Sequence, residues 1–143
     1  MFTETCGALA ARLDGADHAV EVGIGRRPDV ARSLAARGVT VTATDVHDRP
    51  TPEGVRFVVD DVTDPTLEHY RDADVVYALN CPPELQRPLV DLARRVSAAC
   101  YFTTLGADPA VVPVSRESIP GETLFRASGA DADAPTPLRG ERP

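Results

Sequence analysis

The segment Glu21-Val22-Gly23-Ile24-Gly25-Arg26-Arg27-Pro28 restricts this chain more than any other. Before it, His18 to Val22 reads as a strand; after it, Val30, Ala31 and Leu34 recur at helical spacing across Asp29 to Arg37. Glycines at alternate positions permit a tight turn, and they let a ligand approach the backbone closely. The helix that follows offers unpaired N–H groups to a polar or anionic ligand at its first turn. Pro28 suits helix entry, and Gly38 supplies the stop.

The rest of the chain continues the alternation. Leu9, Ala10 and Leu13 share one face of a first helix that Thr3 or Thr5 can cap and Asp14-Gly15 ends. Val39 to Thr44 reads as the second strand. Pro50 and Pro52 make Asp48 to Gly54 an exposed connection, and Val55 to Val59 is a third strand. Asp64-Pro65 opens a short helix toward Tyr70. Ala73 to Leu79, apart from Asp74, is apolar enough for a strand buried on both faces. Leu85, Leu89, Ala93 and Val96 give a helix over Glu84 to Val96, with Pro88 expected to delay its regular part, and Ala99 to Thr104 is the fifth strand. Thr123 to Arg126 is one further strand. Strands and helices in this order imply right-handed β-α-β units. The expected fold is α/β: a minimal Rossmann-like three-layer α/β/α domain over residues 1–126, with a mostly parallel sheet of about five to six strands. Residues 127–143, rich in Asp, Pro, Gly and Arg, are expected to form a disordered tail.

Composition narrows the chemistry. The formal net charge is −7, which opposes general attraction to nucleic-acid phosphate or anionic membranes. All 15 basic residues are arginine, which excludes a Schiff base, a P-loop lysine and a lysine general base. Acidic excess without lysine suits a salt-adapted protein, because carboxylate repulsion is screened in concentrated salt; a GC-rich coding bias is the alternative for the arginines. Cys6, Cys81 and Cys100 are scattered without metal-ligand spacing, and His18, His47 and His69 show no pairing, so no metal site is expected. No apolar run is long enough to span a bilayer, and the expected location is cytoplasmic.

The site candidates cluster at expected strand ends, where ligands of open α/β sheets bind. Gly23 and Gly25 shape the turn, and Asp45, read as an exposed acid just past the second strand, can accept hydrogen bonds from both hydroxyls of an adenosine ribose. The alternatives are an ordinary turn and a solvated acid. Pro28 stands at the third position of the dinucleotide fingerprint and has no N–H for a pyrophosphate, which disfavours a nicotinamide oxidoreductase. Arg26 and Arg27 could meet a carboxylate or phosphate, or be solvated.

Glu21, two residues before Gly23, resembles the acid of motif I in class I S-adenosylmethionine-dependent methyltransferases, where it acts near the cofactor's amino-acid end. That resemblance implies a ribose role for Asp45 and an adenine-amino contact for Asp60 or Asp61. Asn80, Pro82 and Pro83 resemble motif IV of enzymes that methylate amino nitrogens, with Cys81 inserted and Glu84 at the aromatic position. There Asn80 would be the catalytic residue. From about Glu4 to Arg126 the chain resembles the archaeal uncharacterised protein family 0146, a compact methyltransferase-like Rossmann domain. The features are Glu21, Gly23, Gly25 and Arg26; Asp45, Asp60 and Asp61; and Pro82 to Leu85 before Ala93, Arg94 and Arg95. The resemblance implies binding of S-adenosylmethionine or a related adenosine cofactor and methyl transfer to an unnamed acceptor. The alternative is a ligand sensor or degenerate interaction module that keeps the fold alone. Full class I enzymes carry further strands after the fifth, and little chain remains here for them. A second subunit or a protein partner would then complete the site.

Overall fold

The computed structural model describes residues 3–128. The chain runs α1 (Thr3–Leu13), β1 (His18–Val22), α2 (Asp29–Ala36), β2 (Thr40–Asp45), β3 (Val55–Val59), a single 3₁₀ turn at Leu67–His69, β4 (Val75–Ala78), α3 (Pro83–Arg95), β5 (Ala99–Phe102), β6 (Val114–Ile119) and β7 (Glu122–Ala127). The strands form one seven-stranded sheet in the order β3-β2-β1-β4-β5-β7-β6. The first five are parallel, and β7 is antiparallel to both β5 and β6.

Each face of the sheet is sealed by helices. Leu9, Leu13, Val30 and Leu34 from α1 and α2 pack on Ala19, Val41 and Tyr77, while Leu89, Leu92 and Ala93 of α3 cover Val20, Val76 and Phe102 on the other side. The three-layer α/β/α reading therefore holds. Side chains of β1 and β4 feed both layers at once, which is why β4 reads as a nearly continuous apolar run. Asp74 breaks the run for a local reason: its carboxylate accepts the backbone N–H groups of Asp17 and His18, at 3.0 and 2.8 Å, and pins the start of β1. Among the described residues no helix is long and apolar enough to cross a membrane.

Several local expectations change. The helix foreseen after Asp64-Pro65 is only the 3₁₀ turn, because Tyr70 buries its ring and donates its hydroxyl to Asp60 where a further helical turn would have run. Pro88 does not delay α3, which runs unbroken from Pro83 to Arg95. It lies just past the first turn, whose N–H groups have no helical partner in any case, so it costs one backbone bond and is tolerated. Beyond β5 the chain supplies two strands rather than one. β6 was missed because its interior, Ser115 to Ser118, is exposed edge strand without apolar alternation; it forms by pairing along its whole length with β7. Ala127, expected in the tail, is the buried last residue of β7. The expectation of disorder otherwise falls on residues 129–143, outside the described residues.

Candidate functional site

The strand order reverses between β1 and β4: β2 and β3 extend to one side, β5 to the other. The carboxyl ends of β1 and β4 thus border a crevice at a topological switch point, where open α/β sheets bind ligands. The glycine turn lies across it. Gly23 (φ 72°) and Gly25 (φ 58°) are both left-handed, which accounts for glycine at each position. Three backbone donors tie the turn to the end of β2: Gly23 and Ile24 donate to the Thr44 carbonyl at 2.8 and 3.0 Å, and Gly25 donates to Asp45 Oδ2 at 2.8 Å.

Asp45 is therefore not an exposed loop acid. It ends β2 and is only 8% exposed, and its other oxygen accepts the His47 N–H at 3.0 Å and faces Arg49 Nε at 3.5 Å. Burial acts to raise its pKa. The two N–H donors and the Arg49 charge outweigh burial and hold the carboxyl below its ordinary value. Asp45 is an ionised acid that builds the turn.

Glu21 is the opposite case. It sits inside β1, 1% exposed, and Tyr77 on β4 donates its hydroxyl to Oε1 at 2.8 Å. The two are register partners on neighbouring strands, so their side chains lie together on one face. Burial pushes the Glu21 pKa up to about 8; the Tyr77 hydrogen bond opposes this, and Asp29 adds to it.

Two cavities meet at this crevice. The larger, about 370 Å³, is lined by Glu21, Gly23, Gly25, Arg26, Arg27, Asn80 and Leu105 among others. The smaller, about 150 Å³, is apolar, with Val22, Val62, Cys81, Pro82, Leu85 and Leu89 in its wall. Gly23, Leu79 and Asn80 border both. Asn80 adopts φ 53°, a conformation asparagine tolerates, and its N–H is held by Thr103 Oγ1 at 2.9 Å. Cys81 is buried, and burial followed by the charge of Glu84 raises its thiol to about 12, so it is no thiolate nucleophile at neutral pH.

Five of the candidate residues thus come together: Glu21, Gly23, Gly25 and Asn80 line the larger cavity, and Asp45 is bonded to its turn. Asp60 and Asp61 line neither cavity. Asp60 accepts the Tyr70 hydroxyl and the Thr66 N–H, while Asp61 Oδ1 takes both the N–H and hydroxyl of Thr63, which lower its pKa. Tyr77, Thr103 and Leu105 were missed. A signal existed for Tyr77: a glutamate in a strand buried on both faces needs a polar partner, and the tyrosine of the next apolar run can supply one.

Residues 4–127 match the model of the Uncharacterised protein family (UPF0146). The chain belongs to this family. A UPF0146 protein of Halobacterium salinarum is 58% identical over 123 residues, covering 85% of this chain and 95% of that protein. A UPF0146 protein of Archaeoglobus fulgidus is 52% identical over 89 residues, or 62% of this chain and 68% of its own. Among solved structures, the UPF0146 fold resembles an RNA methyltransferase from Salinibacter ruber in complex with S-adenosyl-L-homocysteine, with a TM-score of 0.59 at 15% identity and 86% of each chain covered. It also resembles the CcbJ methyltransferase from Streptomyces caelestis, with a TM-score of 0.52 at 20% identity, over 80% of this chain and 54% of that one. These likenesses establish a methyltransferase-type Rossmann fold for the UPF0146 chain.

Proposed function

We propose that this protein binds S-adenosylmethionine or S-adenosylhomocysteine in the crevice between β1 and β4 and acts as a methyltransferase on an acceptor still to be identified. One observation carries the reading: a cavity bordered by the charged residues Glu21, Arg26 and Arg27 meets an apolar cavity at Gly23 and Asn80, at the switch point of the sheet. The polar side suits a zwitterionic amino-acid end, with Glu21 for the ammonium and Arg26, Arg27 and the start of α2 for the carboxylate. The apolar side suits a purine face, with Asp61 next to Val62 of its wall and Asp61 Oδ2 unengaged among the described residues. Asp45 Oδ1 accepts the His47 N–H and faces Arg49, while among the described residues Oδ2 accepts only the Gly25 N–H, leaving capacity on Oδ2 for a ribose hydroxyl.

When bound, the cofactor supplies an electrophilic methyl group on a sulfonium. The chain's own part is placement. Asn80, whose backbone is held by Thr103 and whose helix entry is stiffened by Pro82 and Pro83, would offer its side-chain carbonyl to the hydrogens of an amine acceptor and so aim its lone pair. Calorimetry in molar salt tests the binding claim: S-adenosylmethionine and S-adenosylhomocysteine should bind more tightly than NAD. Binding of NAD alone would refute it. Cofactor binding without transfer of label into any cell-extract component would favour a ligand sensor.

A further inference from the structure

We infer that Glu21 exchanges its proton for the positive charge of a bound ligand, so the larger cavity selects a cationic group and releases a proton when it fills. The inference rests on the S-adenosyl reading and adds a selection device to it.

Geometry carries the argument. The Glu21 side chain is fully enclosed except where it forms cavity wall, and one hydrogen bond, from the Tyr77 hydroxyl, reaches it. Among the described residues no cation makes an ion pair with it. A carboxylate so placed has lost its water and gained a single donor, which is far from compensation; taking up a proton is the cheaper state.

The groups that face it from each packed element reinforce this. Tyr77 on β4 is neutral, its own pKa raised well above the ordinary value by burial and by Glu21 itself. Asp29 at the start of α2 repels a negative charge at Glu21, and Cys6 on α1 is likewise coupled to it and raised, first by burial. On β2 the register partner is Ala43, which does not titrate. Arg26 and Arg27 line the same cavity, but both are exposed and keep their hydration. The cavity wall therefore holds a buried acid that lacks a desolvated positive partner. A ligand ammonium or sulfonium provides that partner. The neutral carboxyl then gives its proton to solvent and becomes the carboxylate of an enclosed ion pair, and charge balances with one proton released per cation bound.

The test is calorimetry in molar potassium chloride at pH 6.5, run in phosphate and in imidazole, whose ionisation enthalpies differ. The probes are S-adenosylmethionine, S-adenosylhomocysteine and the neutral nucleoside methylthioadenosine. The two amino-acid-bearing ligands should release close to one proton, and their affinity should rise on the order of tenfold per pH unit from pH 5.5 to 6.5, below the range in which the ligand amine titrates. Methylthioadenosine should release none and bind independently of pH. Glu21→Gln, which imitates the protonated acid and keeps an acceptor for Tyr77, should abolish proton release and weaken the cationic ligands at least tenfold while leaving methylthioadenosine unchanged. Tight binding of the cationic ligands with no proton released by the wild-type protein overturns the inference and leaves the cofactor reading standing. Proton release that persists in Glu21→Gln assigns it to another group and overturns it as well. If none of the three ligands binds, the cofactor reading falls, and the inference falls with it. The wild-type comparison between buffers decides the matter even where the variant does not fold.

Discussion

Replacing Asp45 by alanine should damage the fold and the site together, because one carboxylate serves both. Two backbone donors, Gly25 N–H at 2.8 Å and His47 N–H at 3.0 Å, lose their acceptor at a position only 8% exposed. Hydrogen bonds to a charged group are worth roughly 1.5–3 kcal/mol each, and water entering the vacated space recovers part of that. The net loss is about 2–4 kcal/mol, or on the order of 10 °C in Tm for a domain of this size. On the proposed cofactor reading, affinity should also fall about a hundredfold, since the ribose acceptor and the anchored turn would go at once. The pH dependence follows from the direction of the shift. The folded pKa lies below the ordinary value of 3.8, so Asp45 stabilises the fold above that pH and ceases to do so as pH falls through the folded value. Circular dichroism melts in molar salt at pH 6 should show the full gap between wild type and variant, narrowing below about pH 4. Equal melting temperatures at pH 6, or a gap that does not shrink in acid, would refute the reasoning.

Gln86, fully buried on α3, holds the connection between β5 and β6 through both ends of its amide, donating to the Pro109 carbonyl at 2.9 Å and accepting from Val111 N–H at 2.7 Å; Gln86→Ala should cost about 2–4 kcal/mol in denaturant melts. Asn80→Gly and Asn80→Ala separate conformation from chemistry: glycine keeps the left-handed backbone and alanine strains it by about 1–2 kcal/mol, yet both should abolish methyl transfer if the side chain places the acceptor, and retained transfer in Asn80→Gly would leave Asn80 a backbone role. Lowering salt from molar to physiological strength should reduce the melting temperature, since the charge of −7 is then less screened; a flat salt series would attribute the lysine-free composition to coding bias.

The parallel half of the sheet was legible because each of its strands carries its own apolar signal and its own following helix or turn. β6 carries none. Its Ser-Arg-Glu-Ser interior becomes a strand only by pairing with β7, information held by the partner and not by the segment. Pro88 was misjudged for a related reason, since the effect of a proline on a helix depends on where the helix starts, and that start was set by Pro82 and Pro83 upstream. That Gly23, Gly25, Glu21 and Asn80 would border one crevice was legible from position relative to the strands. The state of each acid was not. Nothing in the sequence separates Asp45, tied into backbone donors, from a solvated loop acid, and no local pattern announces that Asp60 accepts the hydroxyl of Tyr70 ten residues on.

The acids at the carboxyl ends of β1 and β2 show how one residue class divides its labour within a single turn. Asp45 receives two N–H donors and faces a guanidinium, so its charge is fixed and the glycine turn is built around it. Glu21 lies near the carboxyl end of a buried strand with one hydroxyl for company, so burial favours its neutral form. A leucine or valine at position 21 would serve the core better, because burying an ionisable group with a single partner destabilises the sheet that contains it. Such an uncompensated group is tolerated where a ligand completes it, and Glu21 lies on a cavity wall rather than in sealed core. The opposed pKa shifts of two acids that border one turn thus follow from their donors. On the proposed reading the two tasks differ: Asp45 keeps the shape of the crevice, and Glu21 responds to the charge of what enters it.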